Sequence, residues 1–491
     1  MIPSIINVQS VLVEHAYGGK VYANSGCLID NKFILITANV LVPLLNESKS
    51  DLRSIPFGLL NPLRFFDKPP KLTIIIKNED SRSHQYKEAL VVAAYVSEIT
   101  KKSVSKYLYD WAIDVDDKED QLKESIPIFF IASFNFKNAP NANELLDCLK
   151  RLKLQSLQTT LSAGNKVCIE STPFGNRHFL RSHSRGIISN VTGENDCFLL
   201  TDVPVAPGSE GSPVYTKFGN DEIPIGMVLS CMSWWKGEWI GLTLVASFKS
   251  VFNEILSNTT FKIPLISEAH MNETIKKLNT NVAQITSGMF WGTAILLNKE
   301  NGIFITNSHV IENDSPVLHY KETNIKATVI YKAKENQIFD IAILRANQHD
   351  LDHTDMVSVK LSPKPMNLGD NVFALGFPLF PRHTKPKATL TNGHVSQVSK
   401  TMLKTTCTVL PGASGGGIFD KNGELVGIIV CNAKMEDSST TYPRVNMAIP
   451  ISRIYDDLIE FLTKKDVTTF KKLEMNDINV IREWNFLKAN I

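Results

Sequence analysis

The 491-residue sequence contains neither a CxxC pair nor an HExxH segment. Those spacings hold structural and catalytic zinc, so no metal is expected, and nothing else in the chain asks for a cofactor. Long apolar runs are also missing: none approaches the roughly 18 residues of a spanning helix, so no membrane association is expected. The first residues, MIPSIINVQSVLVEH, lack a basic start and a small-residue cleavage site, and an unsecreted protein is the expectation. Charge of one sign is lacking as well. The 52 Lys and Arg balance 50 Asp and Glu for a formal +2, which argues against nucleic acid or an anionic membrane surface as a partner. Cysteine is sparse: positions 27, 148, 168, 197, 231, 407 and 431 are odd in number, scattered and mostly set in apolar segments. Reduced, buried thiols in an intracellular compartment are expected rather than a disulfide framework.

What is present is apolar material in short pieces. A chain of this length exceeds what one core normally serves, so two or more domains are expected. Runs of Val, Ile, Leu, Phe and Thr, broken by Gly, Asn, Asp and Pro, predict a mostly β architecture, sandwich or barrel.

The two halves repeat one order of events. SGCLIDNKFILITANVL is answered by WGTAILLNKENGIFITNSHVI, and YDWAID (109–114) by FDIAIL (339–344). STPFGN is answered by LGFPLF, SRGIISNV by TNGHVSQV, and VPVAPGSEGSPVY by CTVLPGASGGGIF. Each half then has a strand (IGMVLS or VGIIVC), a further strand, and an amphipathic helix at 247–256 or 452–462. The expectation is two copies of one β-rich domain, residues 1–266 and 267–464, divided near SEAHMNETIKKLN, with a tail at 465–491 outside the repeat.

Three elements of the second copy suit acyl transfer. ITNSHV places His309 after a strand, where an imidazole can take a proton from a hydroxyl and return it to a leaving amine. FDIAIL places Asp340 where a carboxylate can fix the tautomer of that ring. PGASGGG places Ser414 between glycines, pushed forward by a tight turn, with the backbone N–H groups of Gly412 and Ser414 aimed at a developing oxyanion. Each piece alone is commonplace; the order His309, Asp340, Ser414 within a repeated strand framework is not.

In the first copy the same loop reads APGSEGSPVY, with Glu210 where Ser414 stands, and Asn39 falls at or beside the position of His309. Asn has no titratable nitrogen, and a carboxylate is a poor nucleophile for amide cleavage. Asp110 survives. The neighbouring Ser209 and Ser212 would break the turn and would not restore the base. The first copy is expected to be catalytically dead, a scaffold or a docking or regulatory module. Other candidates are weaker. DVDDKED (114–120) starts like a calcium loop but has Glu119 and Ser125 where Gly and Glu belong. PRHTKPK (381–387) reads as a solvated loop, and His394 as a packed side chain.

TNSHV, DIAILR and PGASGGGIF resemble the catalytic segments of trypsin-like proteases of the HtrA or Deg kind. With a degenerate copy ahead of an intact one, and no PDZ module expected after it, the chain resembles the peroxisomal leader peptide-processing (glyoxysomal processing) proteases. That resemblance implies two tandem trypsin-like double β-barrel domains, each closed by a C-terminal helix. It implies a triad of His309, Asp340 and Ser414, and a serine endopeptidase that removes N-terminal leaders from imported peroxisomal enzymes, cleaves next to cysteine and may be cut by itself. By superfamily geometry Val430, Cys431 and Asn432 would line the substrate pocket. The alternatives are a Deg/HtrA-like quality-control protease and a non-cutting pseudoprotease adaptor that binds peptides. The end Ala489-Asn490-Ile491 lacks the basic centre of a peroxisomal tripeptide, so the peroxisomal matrix and the cytoplasm both stay open, as does assembly into a homo-oligomer.

Overall fold

A computed structural model describes residues 6–47, 52, 54–78, 83–113, 121–134, 142–157, 159–218, 221–231, 233–235, 238–252, 277–334, 337–434, 441–474 and 484. The chain divides into two compact units, Met1–Gly237 with Leu242–Ala269, and Glu238–Gly241 with His270–Ile491. The fold is mostly β, and each unit contains two six-stranded rings.

In the first unit one ring is built from Val8–Tyr17, Lys20–Ile29, Phe33–Thr37, Lys71–Lys77, His84–Val96 and Ile128–Ser133, with Gly58–Leu60 added at its edge. The pairing of His84–Val96 with Ile128–Ser133 closes it. The other ring uses Lys166–Ser171, Ser182–Thr192, Phe198–Thr201, Pro213–Phe218, Asp221–Ser230 and Thr243–Ser247. In the second unit the rings are Val282–Ser287, Phe290–Asn298, Ile303–Thr306, Val317–Tyr320, Thr323–Lys332 and Ala342–Ala346, then Asn371–Gly376, Thr389–Val398, Leu403–Thr405, Gly417–Asp420, Leu425–Lys434 and Thr441–Pro450.

All four rings wind alike. Around each, the first three strands stand in chain order, followed by the sixth, the fifth and the fourth, which returns to the first. Closure leaves no long unpaired edge and turns one face of every strand inward. Each ring accordingly has a core of its own, for example Val11, Ile34, Ile74 and Phe130 in the first and Ala374, Leu403, Ile418 and Ile429 in the last. The alternation TLTNGHV in Thr389–Val398 shows the rule at residue level: Thr391, Gly393 and Val395 are buried while Asn392, His394 and Ser396 are exposed. His394 is therefore not the packed side chain the sequence suggests, because the strand period turns it outward.

The closing helix of the second unit, Ile451–Lys464, buries Ile451, Ile454, Leu458 and Phe461, the stripe expected at helical spacing. Lys465 ends it in the left-handed region. The chain then turns back as Val467–Leu473, and Phe470 packs on Phe461 and Tyr331. The start of the tail is thus part of the second unit's core. The helix expected at 247–256 is described over Phe248–Val251, with Phe248 and Val251 buried; its remainder, the acidic run 114–120, and all of INVIREWNFL but Trp484 lie outside the described residues. No helix of the described residues is long and apolar enough to cross a membrane. All seven cysteines are free, five of them buried, with Cys168 half-buried and Cys431 exposed.

Candidate active site and its degenerate counterpart

Strand register brings His309 and Asp340 together. Ile303–Thr306 pairs antiparallel with Ala342–Ala346, Thr306 facing Ala342. Carried past the ends of both strands, that register sets the 3-10 turn Ser308–Val310 against the residues before Ala342. His309 Nδ1 is hydrogen-bonded to Asp340 Oδ2. The other carboxylate oxygen accepts from the Ser308 hydroxyl at 2.5 Å and from the His309 backbone N–H at 3.1 Å, while the Asp340 carbonyl accepts from Asn307 Nδ2 at 2.7 Å. Burial opposes the charge on Asp340. The hydrogen bond and charge of His309, the Ser308 hydroxyl and the His309 backbone N–H outweigh it, so the carboxyl titrates below its usual value. A carboxylate so fixed holds the imidazole with Nδ1 inward. The ring is half exposed (49%), which leaves Nε2 available.

Ser414 comes from the loop before Gly417–Asp420, in the other ring of the same unit. Gly412 has φ +94° and Gly415 φ +79°, values that glycine adopts without strain. A Cβ on Gly412 would sit 2.5 Å from Trp291 Nε1 and 2.7 Å from the Phe377 carbonyl. The loop is tied down by Gly415 N–H to Ile429 O (3.0 Å), Ile429 N–H to Gly416 O (2.8 Å) and Thr293 N–H to Ser414 O (2.8 Å). The Ser414 hydroxyl donates to the Val430 carbonyl at 3.1 Å. Among the described residues neither the Gly412 nor the Ser414 N–H donates to any group, so both are left for an incoming oxygen. Of the residues expected at the pocket, Val430 thus touches Ser414. Asn432 donates to Val409 O at 2.7 Å, and its Oδ1 is buried without a partner. The thiol of Cys431 is pushed up to about 12, first by burial around the sulfur and then by the charge of Asp340.

One contributor escaped the sequence. The Thr293 hydroxyl, fully buried, accepts from the Phe377 N–H at 2.9 Å and donates to the Gly412 carbonyl at 3.1 Å. It clamps the loop that carries Gly412. The first unit has the same clamp in Ser25, which accepts from the Thr172 N–H and donates to the Gly208 carbonyl, both at 2.9 Å. Their only signal in sequence is a hydroxyl residue in an apolar strand.

The degenerate loop keeps the backbone in detail. Gly208 and Gly211 have φ +90° and +88°. Gly211 N–H donates to Val228 O at 2.8 Å, and Val228 N–H to Ser212 O at 2.9 Å. Phe174 and Leu379 hold matching positive φ, 60° and 68°, and donate to Pro207 and Pro411 respectively. Glu210 therefore stands at the place of Ser414, and Asn39 lines the same cleft. Ser209 and Ser212 are buried and could not serve as shifted nucleophiles. Asp110 accepts instead from the Tyr109 hydroxyl, which raises the tyrosine. The carboxylate of Glu210 lies in its own loop's anion site: Oε2 accepts from the Gly208 N–H and Asn24 Nδ2, both at 2.9 Å, and Oε1 from the Cys231 thiol at 2.7 Å. The PRHTKPK loop makes ordinary surface bonds, Lys385 to Glu322 and Arg382 to the Lys321 carbonyl. No cluster of residues suited to a metal occurs among the described residues.

Residues 292–428 match the trypsin-like peptidase domain, a span that includes His309, Asp340 and Ser414. The human peroxisomal leader peptide-processing protease is 26% identical over 339 residues, 63% of this chain and 58% of that protein. The mouse protein of the same name is 25% identical over 322 residues, 60% of this chain and 55% of that protein. A serine protease Do-like HtrA of Bacillus subtilis is 28% identical over 193 residues, 36% of this chain and 40% of that protein. The matches to the first two span just over half their length.

Proposed function

We propose that this chain, whose second unit carries a trypsin-like peptidase domain and whose relatives include peroxisomal leader peptide-processing proteases, is a serine endopeptidase worked by His309, Asp340 and Ser414. The observation that carries this reading is the His309 Nδ1–Asp340 hydrogen bond, with the carboxylate further held by Ser308 and the His309 backbone. It turns the basic nitrogen, Nε2, outward as a general base.

Acylation begins as the Ser414 hydroxyl leaves the Val430 carbonyl, by rotation about χ1, and donates to His309 Nε2. Attack on the scissile carbonyl passes the proton to the ring, and Asp340 stabilises the imidazolium. The N–H groups of Gly412 and Ser414 receive the oxyanion, and the ring then protonates the leaving amine. Water repeats the sequence to release the acyl group. The substrates are proteins bearing peroxisomal targeting leaders, cut once to free the leader, with self-cleavage as a second event and the peroxisomal matrix as the place of work. The names of the human and mouse relatives support that choice.

A fluorophosphonate probe tests the chemistry. Labelling should vanish in Ser414→Ala and persist in Ser209→Ala and Ser212→Ala; an unlabelled intact protein would sink the proposal. Incubation with leader-bearing precursors and with an unfolded casein-type substrate tests the specificity. Single-site removal of leaders is expected, and indiscriminate digestion of the unfolded protein alone would point to quality control.

A further inference from the structure

The first unit contains a cleft of about 520 Å³ lined by Asn24, Asn39, Phe174, Glu210, Cys231 and Trp234 among others. In the second unit the matching loop offers two unengaged N–H donors and so receives an anion. Here Glu210 has reversed that polarity. Its Oε2 already takes the Gly208 N–H, the donor that corresponds to Gly412. A substrate carbonyl placed there would meet a carboxylate instead of a donor.

Glu210 is 8% exposed, and a buried carboxylate needs compensation. Its three partners, Asn24, Cys231 and the Gly208 N–H, are all neutral. Among the described residues no Lys, Arg or His pairs with it. Lys123, on the helix that contributes Leu122 to the cleft, donates instead to the carbonyls of Tyr109 and Trp111, each at 3.0 Å. A carboxylate accepts about four hydrogen bonds, so one place remains. Two aromatic side chains, Phe174 and Trp234, stand in the cleft wall. Phe174 is 67% exposed, whereas Leu379, at the same place in the second unit, is 2% exposed. Phe179 stands edge-on to Phe174 at 5.9 Å between ring centres. A negative floor beside aromatic faces suits a guanidinium or ammonium group.

We propose that the first unit's cleft is a binding site for a cationic side chain, arginine or lysine, of a peptide. The site does not depend on the proteolytic reading, because it requires binding and no cleavage. The loop around Glu210 repeats the backbone of the second unit's loop, which lies within a peptidase domain, so an extended peptide is the occupant, with the cation aimed at Glu210 in place of a carbonyl aimed at a hole.

The test uses the full chain with Ser414→Ala, so that no peptide is cut. Two dye-labelled pentapeptides, acetylated and amidated, differ only in a central arginine or its neutral isostere citrulline, and binding is read by fluorescence anisotropy. The arginine peptide should bind at least about 10-fold more tightly, and that preference should disappear when Glu210→Gln is added. Phe174→Ala, which alters an exposed side chain, should weaken the arginine peptide by about 3- to 10-fold and leave the citrulline peptide unchanged. It decides the matter if Glu210→Gln fails to fold. Equal binding of the two peptides, binding of neither, or a preference that survives Glu210→Gln or is indifferent to Phe174→Ala overturns the proposal. A fluorophosphonate result at Ser414 bears on none of these outcomes.

Discussion

Replacing Thr293 with valine should disable the second unit without touching its triad. Valine matches threonine in shape, so the change removes a hydroxyl and leaves no large cavity. That hydroxyl makes two bonds, a buried one from the Phe377 N–H and a half-buried one to the Gly412 carbonyl. Both groups would lose that partner, the Phe377 N–H in a buried setting and the Gly412 carbonyl in a half-buried one. With roughly 1 kcal/mol for each lost bond and a further desolvation cost for the orphaned N–H, the loss is about 2–4 kcal/mol. For a domain of this size that lowers the melting temperature by about 4–16 °C. The catalytic effect follows from the same carbonyl. Freed of Thr293, the Gly412–Ala413 peptide can rock about the Gly412 Cα. The adjoining Pro411–Gly412 peptide, which carries the Gly412 N–H, keeps the Leu379 N–H on its carbonyl but loses the support of its neighbour, so its aim loosens. Complete loss of one oxyanion donor costs about 10²- to 10³-fold, so a donor misaimed part of the time should cost about 10-fold in acylation. Differential scanning calorimetry and the rate of fluorophosphonate labelling at Ser414 measure the two effects. Thr293→Ser keeps the hydroxyl and loses only a methyl, so it should stay within about 1 kcal/mol and labelling should remain near normal. If serine and valine are equally damaging, the methyl's packing rather than the clamp is what matters, and the reasoning fails.

Three other outcomes follow from the site. Asp340→Asn should lower kcat by about 10⁴-fold. Because the folded protein holds Asp340 below its unfolded value of about 3.9, its stabilising effect is full above that value and fades as pH falls through the lower folded one; urea midpoints of wild type and variant should converge in acid. Cys431 lies at the surface, yet its thiol is pushed up to about 12, so at pH 8 only roughly one in 10⁴ is ionised. Peptide mapping after iodoacetamide should find it slower than the half-buried Cys168 despite its exposure, with Asp340→Asn speeding it only in part because burial is the larger cause. Gly412→Ala should cut labelling of Ser414 at least about 100-fold, since its Cβ would meet Trp291 and Phe377 O at a φ hostile to alanine; normal labelling would show that the loop relaxes freely.

Much of the fold was legible because it is written in short-range chemistry. Runs of β-branched residues between turn residues mark strands, and the six matched segments reveal duplication because equal backbones ask for equal punctuation. The glycines of PGASGGG and APGSEGSPV are clear examples: positive φ at 208, 211, 412 and 415 is a local demand that a side chain would violate. The outward place of His394 was not legible in the same way, since strand period alone does not say which face is the core.

By itself, the sequence determined the duplication, the β class, the order His309–Asp340–Ser414 and the loss of Ser and His equivalents from the first half. These depend on residue identity and on neighbours within a few positions. Tertiary structure alone decided that Thr293 and Ser25 clamp loops 119 and 183 residues away. It also decided that Glu210, met by Asn24 from 186 residues away, takes the Gly208 N–H, one of the two donors of its own loop. Closing a six-stranded ring carries distant strands into contact, and the direction of a buried carboxylate is set by donors that only that closure assembles.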